Sequence, residues 1–363
     1  MSSPAIFTPL KIGNYELKHR VVMAPLTRFR SDSKRIPTDL MKEYYTQRAT
    51  SGGLLITEAT FISKTAGSFT GAPGIFTDDQ IKKWKTITDS VHEKGGIFFC
   101  QLWHLGRADS SLQNGGHKPV SASDIPISGV DRYGNPHDTP HPLTVPEIKD
   151  IIQDYRQAAV NAIEAGFDGV EIHAANGYLL DQFINTSSNR RTDTYGGSIE
   201  NRCRFTLEVV KAISDAIGPE KTAIRFSPWS EFQDMEDATP YETWGYLVAT
   251  LQNTIPNLSY LHFVEPRVNH RIDEYSKSKV DTLDSFRKEW KGSFISAGSY
   301  TLDVKGAFKC AESTGNLIAF GRLFIANPDL VERLQNDSPL NKYDRSTFYT
   351  HEAKGYTDYP FYK

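Results

Sequence analysis

Eight short runs rich in apolar and β-branched residues recur along this chain, and most are followed by a stretch with helical spacing. The runs are Val21–Leu26, Leu54–Thr60, Ile97–His104, Val170–Ala175, Thr222–Ser227, Tyr260–Val264, Ser293–Ala297 and Leu317–Phe320. Apolar residues at 3.6-residue spacing predict helices over Gln80–Lys94, Pro146 to about Ala165, Ile199–Ile217, Thr239–Asn253, Asp281–Trp290, Leu302–Ser313 and Pro328–Leu334. Strands that alternate with helices read as parallel, and eight of them predict an α/β fold, a single (β/α)8 barrel filling residues 1–363. The rival architecture, an open doubly wound sheet, calls for G-x-G-x-x-G after its first strand, and here that strand runs into APLTRFR. Phe7–Tyr15, centred on Gly13-Asn14, predicts a hairpin that plugs one end of the barrel. Leu105–Pro146 has several prolines and glycines and no helical period, so it predicts a long loop over the mouth, and a second polar loop runs to Lys279.

In a parallel barrel the strand C-termini converge on one face, so residues at those ends become neighbours whatever their separation in sequence. They are Pro25, Leu26 and Thr27; Glu58 and Ala59; Gln101, Trp103 and His104; His173, Asn176 and Tyr178; Arg225; Glu265; Gly298; and Gly321 with Arg322. No nucleophile stands beside a base, and no carboxylate pair has a spacing suited to acid–base work. His104 and His173 lack a third ligand, so no metal centre is expected. Amide, imidazole, phenol, hydroxyl and guanidinium groups suit an organic cofactor with a polar heterocyclic edge and a phosphate. Phosphate sites in such barrels follow the last two strands, here Ala297–Tyr300 and Phe320–Pro328, where Gly298 and Gly321 let backbone N–H groups approach and Arg322 adds donors. Ordinary turn glycines are the alternative. Arg225, inward at a strand end, needs an anion, either a ligand's or a carboxylate such as Glu58 or Glu265.

Composition narrows the function classes. With 41 basic against 44 acidic residues and a net charge of -3, the chain has no electrostatic reason to bind nucleic acid or an anionic membrane. Cys100, Cys203 and Cys310 form no C-x-x-C and are odd in number, which argues against a disulfide framework or a metal cluster and for a reducing, cytoplasmic setting. No signal-peptide core and no apolar run near the roughly 20 residues of a membrane helix is present.

The stretch from Phe167 to Phe205 holds the densest chemistry. His173 ends a strand, Asn176-Gly177 makes the turn, and Tyr178 follows; the polar run from Asn185 to Asn201, with Arg190, Arg191 and then Arg202 and Arg204 beyond it, is long enough to be a functional loop. A purely structural His/Asn pair and a ring-packing tyrosine are the alternatives. HAANGYLLDQF with SSNRRTDTYGGSIENRCRF resembles the old yellow enzyme family of FMN-dependent ene-reductases. FTPLKIGNYELKHRVVMAPLTRFR, ITEATFIS, QLWHLGR, IRFSPW, GRLFIANPDLVERL and TFYTHEAKGYTDYP extend the likeness over nearly the whole chain.

That resemblance implies non-covalent FMN, with NADPH as reductant and an α,β-unsaturated carbonyl compound as substrate, in a monomer or homodimer. It implies that Thr27 meets the flavin near N5, that Gln101 and Arg225 meet its pyrimidine edge, and that Pro25, Leu26 and Ala59 supply walls. It assigns Gly298, Gly321 and Arg322 to the phosphate, and Trp103, Phe348 and Tyr349 to the substrate pocket. His173 and Asn176 would hold the carbonyl and Tyr178 would deliver a proton, which makes this a His/Asn member. Ala59 replaces a common glycine, and Ala319-Phe320-Gly321-Arg322 replaces a more usual Gly-Tyr-Gly-Arg. A flavoprotein acting on quinones, nitro compounds or oxygen, and a non-catalytic flavin carrier, are the alternatives.

Overall fold

Val, Ile, Leu and Phe dominate the strand segments because a strand covered on both faces has no solvent side to keep polar. In the computed structural model, which describes residues 3–266, 281–298 and 300–362, eight of these segments pair in parallel. They are β1 (Val21–Met23), β2 (Leu54–Ile56), β3 (Ile97–Trp103), β4 (Gly169–Ala174), β5 (Thr222–Phe226), β6 (Tyr260–Val264), β7 (Phe294–Ala297) and β8 (Leu317–Phe320). Each pairs with its neighbours in chain order, and β8 pairs with β1 through Ile318↔Val21, Ala319↔Val22 and Phe320↔Met23, which closes the (β/α)8 barrel.

Alternation along the strands divides the apolar residues into two sets. Val22, Ala24, Leu54, Ile56, Ile97, Phe99, Ile295 and Leu317 fill the lumen, and Ile12 and Leu17 join them from below. Those last two come from an antiparallel hairpin, Leu10–Ile12 with Tyr15–Leu17, which plugs the barrel as expected but starts and ends later than Phe7–Tyr15. Phe7 belongs instead to a 3-10 turn, Ala5–Phe7. Gly13 at φ 47° is required in the hairpin, since a Cβ there would lie 2.0 Å from the Glu220 carbonyl oxygen.

The outward set meets the helices: α1 (Asp39–Arg48), α2 (Asp78–Glu93), α3 (Val145–Glu164), α4 (Leu179–Ile184), α5 (Ile199–Ile217), α6 (Pro240–Thr254), α7 (Asp284–Glu289), α8 (Val304–Thr314), α9 (Arg322–Ala326) and α10 (Leu330–Gln335). Caps fix their starts. Thr77 and Thr144 form capping boxes with Gln80 and Glu147, so α2 and α3 begin one or two residues before the expected positions. α1, α4 and α9 were not foreseen: α4 and α9 are too short for a period, and the buried face of α1 includes Arg48. The long loop after β3 carries a small parallel pair, Val120–Ser121 with His141–Pro142. The polar loop predicted to reach Lys279 lies largely outside the described residues. No described helix is long and apolar enough to cross a membrane.

The arginine-rich run after Tyr178 is a fastening, not an open loop. Arg191 pairs with Asp193 at 2.5 Å and donates to the Ala122 and Leu143 carbonyls; Arg204 donates to the Thr194 carbonyl. Arg202, buried, donates to the Ile184 carbonyl at 2.9 Å, to Asp237 at 3.2 Å and to Thr243 at 3.0 Å. Replacing one member of such a buried pair strands the other, at a cost of about 3–5 kcal/mol. Arg202→Ala is therefore expected to lower the unfolding free energy by about 3 kcal/mol in urea titrations, and a loss below about 1 kcal/mol would show that Asp237 does not depend on it.

Candidate active site

β4 ends at Ala174, and the chain then turns through two consecutive left-handed residues, Asn176 at φ 57° and Gly177 at φ 75°. Asparagine tolerates that region better than other side chains, and a Cβ on Gly177 would meet the Phe232 carbonyl oxygen at 2.9 Å. The turn is held from four directions. Asn176 N–H donates to Ser227 Oγ at 2.7 Å, and Gln233 Nε2 donates to the Asn176 carbonyl at 2.8 Å. Gly177 N–H donates to Asp181 Oδ2 at 2.8 Å, and Leu179 N–H to the His104 carbonyl at 3.1 Å. Tyr178 and His173 therefore face each other with ring centres 5.0 Å apart, and Trp103 stands edge-on to Tyr178 at 4.9 Å.

The electrostatics make this a cluster of neutral donors. Burial lowers the pKa of His173 well below its usual value, and Arg225 and His262 push it the same way, so the imidazole is uncharged. Burial and Tyr349 raise Tyr178 above the normal phenol value, while Arg132 and Gln233 act in the opposite sense, so the phenol keeps its proton. His173 Nδ1 and Asn176 Oδ1 are buried with no partner among the described residues.

Beside this turn a cavity of about 290 Å³ opens at the strand C-termini. Its lining includes Pro25, Leu26, Thr27, Asn176, Arg225, Gly298, Gly321, Arg322, Phe348 and Tyr349, so ten of the residues singled out from sequence share one space. Tyr300 and Ile325 line it from the two loops expected to bind phosphate, and Arg345 lines it too but had no marker in the sequence. Ala59, Gln101, Trp103, His173 and Tyr178 are buried or half-buried beside it and are not part of its lining. Gln101 lies deeper, donating through Nε2 to Glu171 at 2.8 Å. Ser299, in the first of the two phosphate-type loops, lies outside the described residues.

Neither expected carboxylate answers Arg225. Glu58 accepts from the Arg28 and Phe29 N–H groups and faces the Tyr45 hydroxyl, and Glu265 accepts from Tyr300 at 3.0 Å. The anion that Arg225 feels is Glu171, which a strand reading had treated as merely alternating with apolar neighbours. His104 accepts from the Gly106 N–H and, lowered to about 3 by burial, is a structural imidazole. Among the described residues no group of three or more His, Cys, Asp or Glu is arranged to hold a metal. A larger groove of about 530 Å³ between α5 and α6, walled by Leu207, Tyr246, Leu251 and Ile255, carries none of the strand-end groups.

The sequence pattern of the NADH:flavin oxidoreductase / NADH oxidase family matches residues 5–341. The 12-oxophytodienoate reductase 1 of Oryza sativa subsp. japonica is 50% identical over 358 residues, covering 98% of this chain and 93% of that protein. Among solved structures, morphinone reductase superposes with a TM-score of 0.91 at 44% identity, covering 99% of this chain and 97% of that one. The old yellow enzyme homologue from Zymomonas mobilis gives 0.91 at 40% identity, covering 98% and 99%. The residues present fit FMN: Arg225, which lines the cavity, has a buried Nε with no partner among the described residues, and a Cβ on Gly321 would come within 3.2 Å of Leu26. A planar, polar-edged ring with a phosphate meets both features.

Asp181, which holds the turn, is raised to about 7 by burial, with Gly177 and Asn185 pulling it down. A carboxyl raised in the folded state binds its proton more tightly there than when unfolded, so stability falls as pH rises between the ordinary carboxylate range and about 7. Asp181→Asn removes that titration and keeps an oxygen for Gly177. The urea midpoint should fall less between pH 5 and pH 7.5 in the variant than in the wild type; equal slopes would rule out Asp181 as the source.

Proposed function

Because the chain belongs to the NADH:flavin oxidoreductase / NADH oxidase family, we propose that it is an FMN-dependent reductase of the C=C bond of α,β-unsaturated carbonyl compounds. The observation that carries this reading is the pairing of a neutral His173/Asn176 site with a protonated Tyr178 on one rigid turn. FMN, once bound, supplies the hydride to the carbon β to the carbonyl and is reduced again by a nicotinamide, NADPH by the likeness to old yellow enzymes.

The chain's own residues bind, orient and protonate. Thr27, Gln101 and Arg225 are assigned to the polar edge of the flavin, Pro25, Leu26 and Ala59 to its walls, and Gly298, Gly321 and Arg322 to its phosphate. Trp103, Phe348 and Tyr349 bound the substrate. His173 and Asn176 donate to the carbonyl oxygen as charge develops there, an arrangement in which a single donor is typically worth about two to three orders of magnitude in rate. Desolvation favours the neutral imidazole, which stays a donor without competing for the proton. Tyr178 then gives its proton to the carbon α to the carbonyl, leaving a phenolate that is reprotonated from solvent. Burial makes the phenol a weaker acid, so the proton moves only to a strong base such as an enolate. We read residues 1–363 as one flavin-binding unit, a cytoplasmic monomer or homodimer, in keeping with the free Cys100, Cys203 and Cys310.

The cofactor is tested by heat denaturation of the purified protein and by anaerobic NADPH. FMN should appear in the supernatant by mass, and the visible flavin absorbance should bleach before denaturation. A protein that takes up no added FMN overturns the assignment, and one that binds FMN without bleaching is a carrier.

Tyr178→Phe separates reductase from the quinone, nitro or oxygen alternatives. It keeps the ring against Trp103 and removes the hydroxyl proton, so flavin reduction by NADPH should stay within about twofold. Reoxidation by an enone should fall by about two orders of magnitude or more, in line with general-acid contributions, while nitro and quinone acceptors are spared. Stopped-flow traces of the two half-reactions read this directly. Unchanged reoxidation by the enone would remove Tyr178 from the mechanism.

A further inference from the structure

Glu171 carries a carboxylate into the barrel lumen, where the reaction described above gives it no task. It lies on β4 two residues before His173 and is fully buried. Each of its oxygens is taken by a different strand. Oε1 accepts from Gln101 Nε2 at 2.8 Å, and Oε2 stands 2.8 Å from His262 Nδ1. Sheet register dictates both contacts: Gln101 is the Cα partner of Glu171, and Arg225 is the partner of His173 on one side and of His262 on the other. The carboxylate thus sits one layer beneath the row His173–Arg225–His262, and of that row Arg225 lines the cavity.

Two consequences follow from the chemistry of an acceptor-only group. Gln101 must turn its NH2 to Glu171, which leaves its carbonyl oxygen free for a ring above it. His262 must carry its proton on Nδ1, which leaves Nε2 bare, and Nε2 has no partner among the described residues. Glu171 is held ionised: burial works against the charge, but His262, Arg225 and the Gln101 hydrogen bond outweigh it. An ion this deep is a costly way to fill a lumen that apolar side chains fill elsewhere. Its place below Arg225 offers a reason.

We propose that Glu171 is the positioning residue of the flavin site, fixing the amide of Gln101 and offsetting the charge of Arg225 without touching the ligand. The inference rests on reading the cavity as an FMN site. Reduction places negative charge on the bound FMN, so whatever offsets Arg225 sets how much tighter the reduced form binds than the oxidised form. Glu171 and His262 act in opposite senses: the carboxylate weakens the field of Arg225, and the imidazole N–H weakens the field of the carboxylate.

The test uses protein stripped of FMN and titrated with it, together with the midpoint potential of the bound flavin by dye equilibration. Glu171→Gln should weaken oxidised FMN about tenfold and leave the reduced form nearly unaffected, a tenfold change in the ratio that for a two-electron couple is about 30 mV upward. His262→Leu, which frees one carboxylate oxygen, should move the potential downward, and His262→Asn, which restores an N–H, should return it toward wild type. Melting curves of the stripped proteins report the fold; if Glu171→Gln does not fold, the two His262 variants carry the test. A potential unchanged in both Glu171→Gln and His262→Leu, or shifts of the same sign in the two, overturns the proposal and leaves Glu171 as lumen packing. Wild-type protein that takes up no FMN overturns the flavin reading itself, and this inference with it.

Discussion

Closure of the sheet between Leu317–Phe320 and Val21–Met23 is the constraint on which the rest depends. A closed parallel ladder leaves no strand edge to water and gives the lumen a single open end, so inward polar side chains must find partners among the other strands of the barrel. Register then becomes chemistry. Because Gln101 is opposite Glu171 and Arg225 is opposite both His173 and His262, four strands put their polar groups at two adjacent depths, and a slip of one residue in any of them would turn those groups into the helical layer.

The mouth is finished by the two ends of the chain acting together. Arg28 and Arg30, both buried, donate to the carbonyls of Thr347, Phe348 and Gly355, and Arg28 lies over the rings of Tyr44 and Tyr356. The segment that presents Thr27 therefore also fastens the segment that presents Phe348 and Tyr349. Glu58 ties the arrangement to α1, accepting from the Arg28 and Phe29 N–H groups and from the Tyr45 hydroxyl. Neither arginine touches the cavity, yet both decide its shape, because the backbone carbonyls they hold have no regular ladder of their own.

The eight strands were legible because each is a short apolar run between turn formers, and the strand-end list follows from them with no further information. Ten residues on that list or named by resemblance do share the cavity. Glu171 and His262 were not legible: in a strand read as alternating, both fall on positions that look solvent-facing, and only barrel closure turns that face inward. Gln233 was hidden for another reason. It holds Asn176 from a loop in which Gln233 and Asp234 both adopt positive φ, a geometry that no glycine announces. The arginines after Tyr178 misled in the opposite direction, since a dense basic run can be spent wholly on carbonyls and side chains of the fold itself.

Three of the buried carboxylates show how neighbours sort charge. Glu58 and Asp181, which have mainly hydrogen-bond partners, are raised to about 7 by burial, whereas Glu171, which has His262 and Arg225 beside it, is lowered. Negative charge is therefore more stable beneath Arg225 than at the turn that carries the donors. That separation has a chemical use. Glu171 is held ionised beneath Arg225, His173 stays neutral, and Tyr178 keeps its proton, so a carbonyl bound as proposed would meet N–H and O–H groups and no anion. A carboxylate held ionised within the Gly177–Tyr178 turn would repel negative charge developing on an oxygen bound there. Raising Asp181 while lowering Glu171 favours charge beneath Arg225 over charge beside Tyr178, the proposed proton donor.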